Sequence, residues 1–324
     1  MPDVVVDWKK LHGNAFRGKQ CLVTGGLGFI GGHLAEALAA LGAQVVILDN
    51  ASGGNAKAYA GDVHDGDIRD AEACARAAEG CDLAFHLAAK VSVPASVEDP
   101  VAYHAADATG TVNVLDACRD RGVGRVVYSA SSSAYGDQPT LPKTEDMPPL
   151  PMSPYAAAKL AGEGYVRAYA ACYDLDAVSL RYFNIFGPRQ NANSAYAGVI
   201  AAFARDLVAG KPPTIYGDGS ASRDFTHVAN AVHANLLAAR HDRPLHGDVF
   251  NVGVGERVTI AELAKQMADA VGRSELVAIH KPPRAGDVPH SLASLEKSRQ
   301  VLGYEPVVSF ADGIASTVEW YAAQ

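Results

Sequence analysis

Two clusters in this 324-residue chain carry side chains whose types and spacing suit chemistry. The first is Ser153-Pro-Tyr-Ala-Ala-Ala-Lys159. Ser153 is a good helix N-cap and Pro154 fits the first helical position, so Tyr155 and Lys159 fall one turn apart on one helix face. An ammonium beside a phenol is expected to stabilise the phenolate and lower its pKa, making Tyr155 a usable base near neutral pH. Just upstream, the apolar stretch Val126–Ser129 runs into Ser131, Ser132 and Ser133, whose hydroxyls could share a substrate proton with Tyr155. The second cluster is Thr24-Gly-Gly-Leu-Gly-Phe-Ile-Gly31, with glycines at 25, 28 and 31 and a GxGxxG match through Gly26, Gly28 and Gly31. Glycine lets a chain leave a strand tightly and approach a pyrophosphate, which a helix N-terminus then receives. Asp49 closes the next apolar run, where a carboxylate can accept ribose hydroxyls and repel a 2′-phosphate. No Arg or Lys follows it before Lys57, which favours NAD over NADP. Bland readings stand beside these: a capped glycine turn, an incidental Tyr–Lys pair on an exposed helix, and an ordinary serine turn.

Chemistry of this kind needs a scaffold, and the apolar pattern supplies one. Gln20–Thr24 reads as a strand, Gly31–Leu41 as a helix and Val45–Leu48 as a second strand. Further short apolar runs at Leu83–Leu87, Val123–Ser129 and Ala177–Leu180 each follow an Ala-rich helical stretch. Alternating buried strands and helices predict an α/β fold, a Rossmann-type doubly wound parallel sheet covered on both faces. After Phe183 the chain turns loop-rich: a helix at Val199–Val208, another near Val228–Ala239, a strand at Asp248–Val252, and helices at Ile260–Val271 and Phe310–Tyr321. This suits a smaller C-terminal lobe that closes over a ligand. Residues 17–184, completed by parts of 223–252, are expected to form the cofactor domain and 185–324 the substrate lobe. Pro139–Pro154, with six prolines, reads as a surface loop.

Composition excludes several classes. The formal net charge is −8 with no long basic run, which argues against nucleic acid or an anionic membrane as partner. Hydrophobic residues make up 48% of the chain, yet no apolar stretch is long enough to span a bilayer. The opening MPDVVVDWKK does not read as a signal peptide. Five scattered cysteines (21, 74, 81, 118 and 172) read as reduced thiols of a cytoplasmic protein. The eleven histidines show no metal-ligand spacing, so no metal is assigned and His86, His227 and His233 are expected to be structural.

In their order along the chain, the glycine turn, Asp49-Asn50, Gly66-Asp67-Ile68-Arg69, His86-Leu-Ala-Ala89, Ser131–Gly136, Tyr155–Lys159 and Arg181-Tyr-Phe-Asn184 resemble the extended short-chain dehydrogenases/reductases that act on nucleotide sugars. The resemblance covers roughly residues 19–322. It implies a bound NAD held by Gly25, Gly28, Phe29, Ile30, Gly31, Asp49, Asn50, Leu87, Ala88 and Ala89, with Asp67 and Ile68 at the adenine. It implies that Lys159 also meets the nicotinamide ribose and that Ser131 is the catalytic hydroxyl beside Tyr155. The substrate residues it implies are Ser131, Ser132, Ser133, Asn184, Val199, Ile215, Tyr216, Arg223, Arg284, Asp287 and Ser291. Among these, Asn184, Arg223 and Arg284 would meet the diphosphate, and Asp287 the uridine ribose. Dehydratases and decarboxylases of the superfamily place an acid just after the catalytic hydroxyl, where this chain has Ser132 and Ser133, so the resemblance points to C4 epimerisation of UDP-hexoses. The seventh residue after Arg284 borders the sugar's C2 substituent; here it is Ser291, small enough for UDP-N-acetylhexosamines, with UDP-glucose and UDP-galactose as further substrates. A UDP-glucuronate epimerase, a dehydratase or decarboxylase, and a non-catalytic NAD-sensing regulator remain as alternatives. A homodimer joined through a helix bundle is also implied. One departure is Asp107, which stands where the family usually has Asn.

Overall fold

Short runs of Val, Ile, Leu and Phe form strands here because flanking glycines and polar turns end them before a helix could propagate. The computed structural model describes residues 5–53, 61–192, 198–283 and 288–324. Seven parallel strands make the central sheet: β1 (Gln20–Thr24), β2 (Gln44–Asp49), β3 (Asp62–Asp65), β4 (Leu83–His86), β5 (Arg125–Ser131), β6 (Ala177–Tyr182) and β7 (Asp248–Val252). Their order is β7-β6-β5-β4-β1-β2-β3. β4 and β6 are buried along their whole length, as expected of strands covered on both faces. The polar edge strand β3, in contrast, has no hydrophobic signature, and sequence reading passes over it.

The helices divide between the two faces. On one, α1 (Phe29–Ala40) and α6 (Val228–Ala239) pack Leu34, Leu38, Val232 and Leu236 against Val23, Ile47, Phe85 and Phe250. On the other, α2 (Ala71–Ala77), α3 (Gly110–Asp120) and α4 (Pro154–Tyr173) pack Cys74, Leu115 and Val166 against Leu22, Val46 and Val126. A third core lies in the lobe, where α5 (Val199–Val208), α7 (Ile260–Val271) and α8 (Phe310–Ala322) enclose Phe203, Ile215, Leu263 and Ile314. Arg125, at the start of β5, pairs with Asp176 (2.6 Å) and donates to the carbonyls of Ala238, His241 and Arg243, capping the C-terminal end of α6.

The proline-rich loop is not merely superficial. Lys143 within it is buried, its backbone pairs with Leu292 and Ser294, and its ammonium donates to the Gln138 carbonyl. The loop is thus clamped against the lobe. Cys21, Cys74, Cys81 and Cys118 are buried free thiols and Cys172 is exposed. Among the described residues no helix is long and apolar enough to cross a membrane.

Candidate active site and cofactor cleft

In an open α/β sheet, ligands bind where the strand order reverses, beyond the carboxyl ends of the strands. Here that point lies between β1 and β4, and the glycine turn leaves β1 into it. Gly25 has φ +72°, donates to the Leu48 carbonyl (2.9 Å), and a Cβ on it would sit 2.7 Å from the Ala88 nitrogen. A Cβ on Gly31 would approach the Gly25 carbonyl to 2.1 Å. Both positions therefore admit only glycine, and the turn stays open at the N-terminus of α1. Asp49 fixes the rim: its carboxylate accepts from the Leu27 and Ala51 N–H groups (2.9 and 2.8 Å). Asn50 donates to Asp67 (2.8 Å), whose carboxylate also holds Arg69 through both guanidinium contacts, well below the usual carboxylate range. Ile68 is buried against Gly110. Phe29 packs edge-on to His33, Ile30 lies against the main core, and Leu87 and Ala88 donate to Thr24. Ala89 continues the same loop. The glycine cradle, the open helix N-terminus and the acid closing β2 fit a dinucleotide such as NAD.

The second part of the site stands at the end of β5. Ser131 closes the strand and caps the 3₁₀ turn Ser132–Tyr135 through the Ser133 N–H, and the Ser133 hydroxyl donates to the Ser131 hydroxyl at 2.9 Å. Tyr135 anchors this turn to β7 through Asn251 (2.6 Å). α4 begins as its sequence dictates, with the Ser153 side chain accepting from Ala156 N–H and Pro154 in the first turn. It is held against the sheet by Glu163, buried and bidentate to Arg181 of β6. Gly162 permits the close approach, since a Cβ there would lie 2.3 Å from the Tyr128 hydroxyl.

The electrostatics correct one expectation. Burial raises the Tyr155 phenol to about 12; the Ser131 hydroxyl opposes this, while Asp107 and Tyr103 add to it. Lys159 is itself buried, its Nζ lies 4.4 Å from the Tyr128 ring centroid, and burial lowers it to about 8 against the pull of Asp107. The depressed tyrosine that a Tyr–Lys pair suggests is therefore not a property of the protein alone, because both groups share one dry pocket.

A buried polar chain that sequence reading missed underlies the site. The Thr111 hydroxyl donates to the Asp107 carbonyl (2.6 Å), so its oxygen accepts from His86 Nε2 (3.0 Å). His86 Nδ1 then accepts from the Thr24 hydroxyl (2.7 Å), which takes the Ala88 N–H (3.2 Å). Burial pushes the imidazole down to about 3, keeping it neutral and able to fill both roles. His86 is thus the hinge pin between the cofactor loop and the turn carrying Asp107. The motif around His86 marks the place; Thr24 and Thr111 carry no separate signal.

In the lobe, Asn184 takes a left-handed backbone (φ +36°) and donates to the Asp224 carbonyl (2.9 Å) and the Ser291 hydroxyl (3.1 Å). Arg223 donates to the carbonyls of Ser222 and Pro289. Val199 opens α5, the Ile215 side chain lies in the lobe core, and Tyr216 is partly exposed beside it. The candidates Arg284 and Asp287 lie outside the described residues. Among the described residues no three His, Cys, Asp or Glu side chains gather at metal-binding range.

A sequence model of the NAD-dependent epimerase/dehydratase family matches residues 21–253. The chain is 41% identical to the UDP-glucose 4-epimerase of Mycolicibacterium smegmatis, over 93% of its own length and 97% of that protein. Its structure resembles that of the UDP-N-acetylglucosamine 4-epimerase of Methanobrevibacter ruminantium in complex with UDP-N-acetylmuramic acid. There the TM-score is 0.89 and the identity 37%, covering 95% and 99% of the two chains. The UDP-glucose 4-epimerase of Thermus thermophilus in complex with NAD gives a TM-score of 0.85 and 37% identity, covering 93% and 98%. Nucleotide-sugar dehydratases and decarboxylases occur among relatives at 32–33% identity. The glycine cradle over β1, the acid closing β2 and the Ser–Tyr–Lys group at β5 and α4 therefore belong to a member of the NAD-dependent epimerase/dehydratase family.

Proposed function

We propose that the protein is a UDP-sugar 4-epimerase whose preferred pair is UDP-N-acetylglucosamine and UDP-N-acetylgalactosamine, with UDP-glucose and UDP-galactose as further substrates. NAD, held by the glycine turn and Asp49, supplies the hydride acceptor and donor at C4. Tyr155 exchanges the O4 proton, Ser131 orients that hydroxyl, and Lys159 places a positive charge beside it. Asn184 and Arg223, with Arg284, hold the diphosphate while the 4-keto sugar turns to present its other face.

The observation that carries epimerisation over elimination is the company of Ser131. Its neighbours are the hydroxyls of Ser132 and Ser133, and among the described residues no carboxylate hydrogen-bonds to any of the three. Removal of water from C5–C6, or loss of a C6 carboxylate, calls for a proton donor or acceptor at that place. For the acetamido preference, the support is Ser291, a small side chain held at the lobe boundary by Asn184. The likeness to the Methanobrevibacter enzyme points the same way. A homodimer is part of the reading, supported by Tyr165 and Tyr173 standing exposed on α4.

Incubating the purified protein with UDP-GlcNAc, UDP-glucose and UDP-glucuronate, then reading C4 configuration by proton NMR, tests the reading. Interconversion at C4, fastest for UDP-GlcNAc, is expected. A 4-keto-6-deoxy product, release of carbon dioxide from the uronate, or no turnover at all would overturn it.

A further inference from the structure

Asp107 lies in the π-helical turn His104–Thr109 that precedes α3, a kind of helical irregularity found frequently at functional sites. Only 1% of it is exposed. One carboxylate oxygen accepts the Lys90 N–H at 2.7 Å, and the other is buried with no hydrogen-bond partner. Lys159 is 3% exposed, and among the described residues neither a hydrogen bond nor an ion pair reaches its ammonium, which rests on the face of Tyr128. The helix carrying Lys159 packs directly on the turn carrying Asp107, so the two buried groups, opposite in charge and without an ion-pair contact, lie within electrostatic reach of each other.

We propose that the Asp107 carboxylate is the counter-charge of the Lys159 ammonium, a positioning residue that sets the pH window in which Tyr155 and Lys159 exchange the substrate proton. The proposal rests on the epimerase reading above. The titratable groups that feel the Asp107 charge are Lys159 and Tyr155 from α4, Tyr103 from the short helix Pro100–Tyr103, Tyr128 from β5, and Lys90 from the loop after β4. His86 of β4 is neutral and bonded through Thr111 to the Asp107 carbonyl, not to its carboxylate. The mutual effects agree in sign: Asp107 raises both Lys159 and Tyr155, and Lys159 is the strongest group holding Asp107 down against burial, which takes it to about 6. Above that pH the carboxylate keeps the ammonium charged. Its cost is borne by the neighbouring phenol, whose ionisation it resists.

Asp107→Asn removes the charge and keeps the shape. In the NAD-bound enzyme, both limbs of the kcat–pH profile on UDP-GlcNAc should move to lower pH, by about one unit or more. Asp107→Glu, which keeps the charge, should leave the limbs near their wild-type places even if kcat falls. A second readout needs no turnover. A carboxyl raised in the folded state favours folding below its unfolded pKa and loses that advantage as pH rises through about 6. The unfolding midpoint of the wild type, measured relative to Asp107→Asn, should therefore fall between pH 4 and pH 6. A kcat profile scaled down without displacement, or a midpoint difference independent of pH, would overturn the proposal. Absence of C4 turnover in the wild type would overturn the epimerase reading; the same midpoint series in a Lys159→Met background, where losing the counter-charge should carry the fall to higher pH, decides the charge pair, and an unmoved fall would overturn it.

Discussion

Two buried aspartates, one in the lobe and one in the pocket of Tyr155 and Lys159, are held in opposite ways. Asp224 is fully buried and accepts the N–H groups of Val254, Gly255 and Ala293 at 2.8, 3.0 and 3.1 Å, with the Thr226 hydroxyl at 3.4 Å. Asp107 is as deeply buried but receives one N–H and leaves an oxygen unpartnered. Burial raises both to about 6; what resists it at Asp224 is a set of directed backbone hydrogen bonds, and at Asp107 chiefly the Lys159 charge. Directed bonds fix geometry and stitch the lobe's segments together. An unsatisfied carboxylate beside an ammonium is costly to stability and persists where its charge is used.

The largest expected effect probes the pocket side. Tyr155→Phe keeps the ring and removes the proton acceptor, so kcat should fall by about 10²–10⁴-fold or more while UDP-sugar affinity, read by calorimetry, stays within a few-fold. Near-wild-type turnover would move the base to the serine turn. Next, the same change should act with opposite sign at the two acids above pH 6. Asp224→Asn turns an amide NH₂ toward backbone donors and should cost about 2 kcal/mol or more in denaturant unfolding, whereas Asp107→Asn should stabilise. Equal signs would erase the distinction. At the lobe boundary, Ser291→Tyr should lower kcat/KM for UDP-GlcNAc relative to UDP-glucose by about tenfold, through overpacking against the acetamido group. Ser291→Ala, which removes only the bond from Asn184, should leave that ratio unchanged; a shared loss in both variants would show that the hydroxyl, not the space, matters. The smallest effect concerns a polar group near the chemistry with a purely structural role. Ser153→Ala should cost about 1 kcal/mol of stability by uncapping α4, without displacing the kcat–pH profile.

Periodicity in the sequence located most of the scaffold. α5, α6 and α7 and the strand β7 fall at the residues their apolar patterns mark, because each buries a full stripe or face. β3 escaped for the converse reason: Asp62, His64 and Asp65 pair with β2 through backbone alone, so side-chain type says nothing. In the site, the glycine turn and the start of the helix carrying Tyr155 and Lys159 were legible because backbone geometry demands glycine at the one and favours the Ser153-Pro154 cap at the other. What sequence could not show is environment. The height of the Tyr155 phenol, the burial of Lys143 and the Thr24–His86–Thr111 chain all depend on which distant segments exclude water. Spacing along one helix carries no information about that.

The position of β7 has a consequence for assembly. It completes the sheet beside β6, yet some 65 residues of chain, including α5 and α6, separate the two strands. During synthesis, chain N-terminal to β7 emerges first, and β6, buried along its whole length in the finished sheet, presents an open edge until Asp248–Val252 arrives. Closure of that edge also delivers Asn251, the partner of Tyr135, and so finishes the serine turn. Sheet completion and ordering of the Ser131–Tyr135 turn are then one kinetic event. Refolding followed by strand-resolved hydrogen exchange should show β6 and the Ser131–Tyr135 segment gaining protection together, after β1, β4 and β5; earlier protection of the serine turn would separate the two.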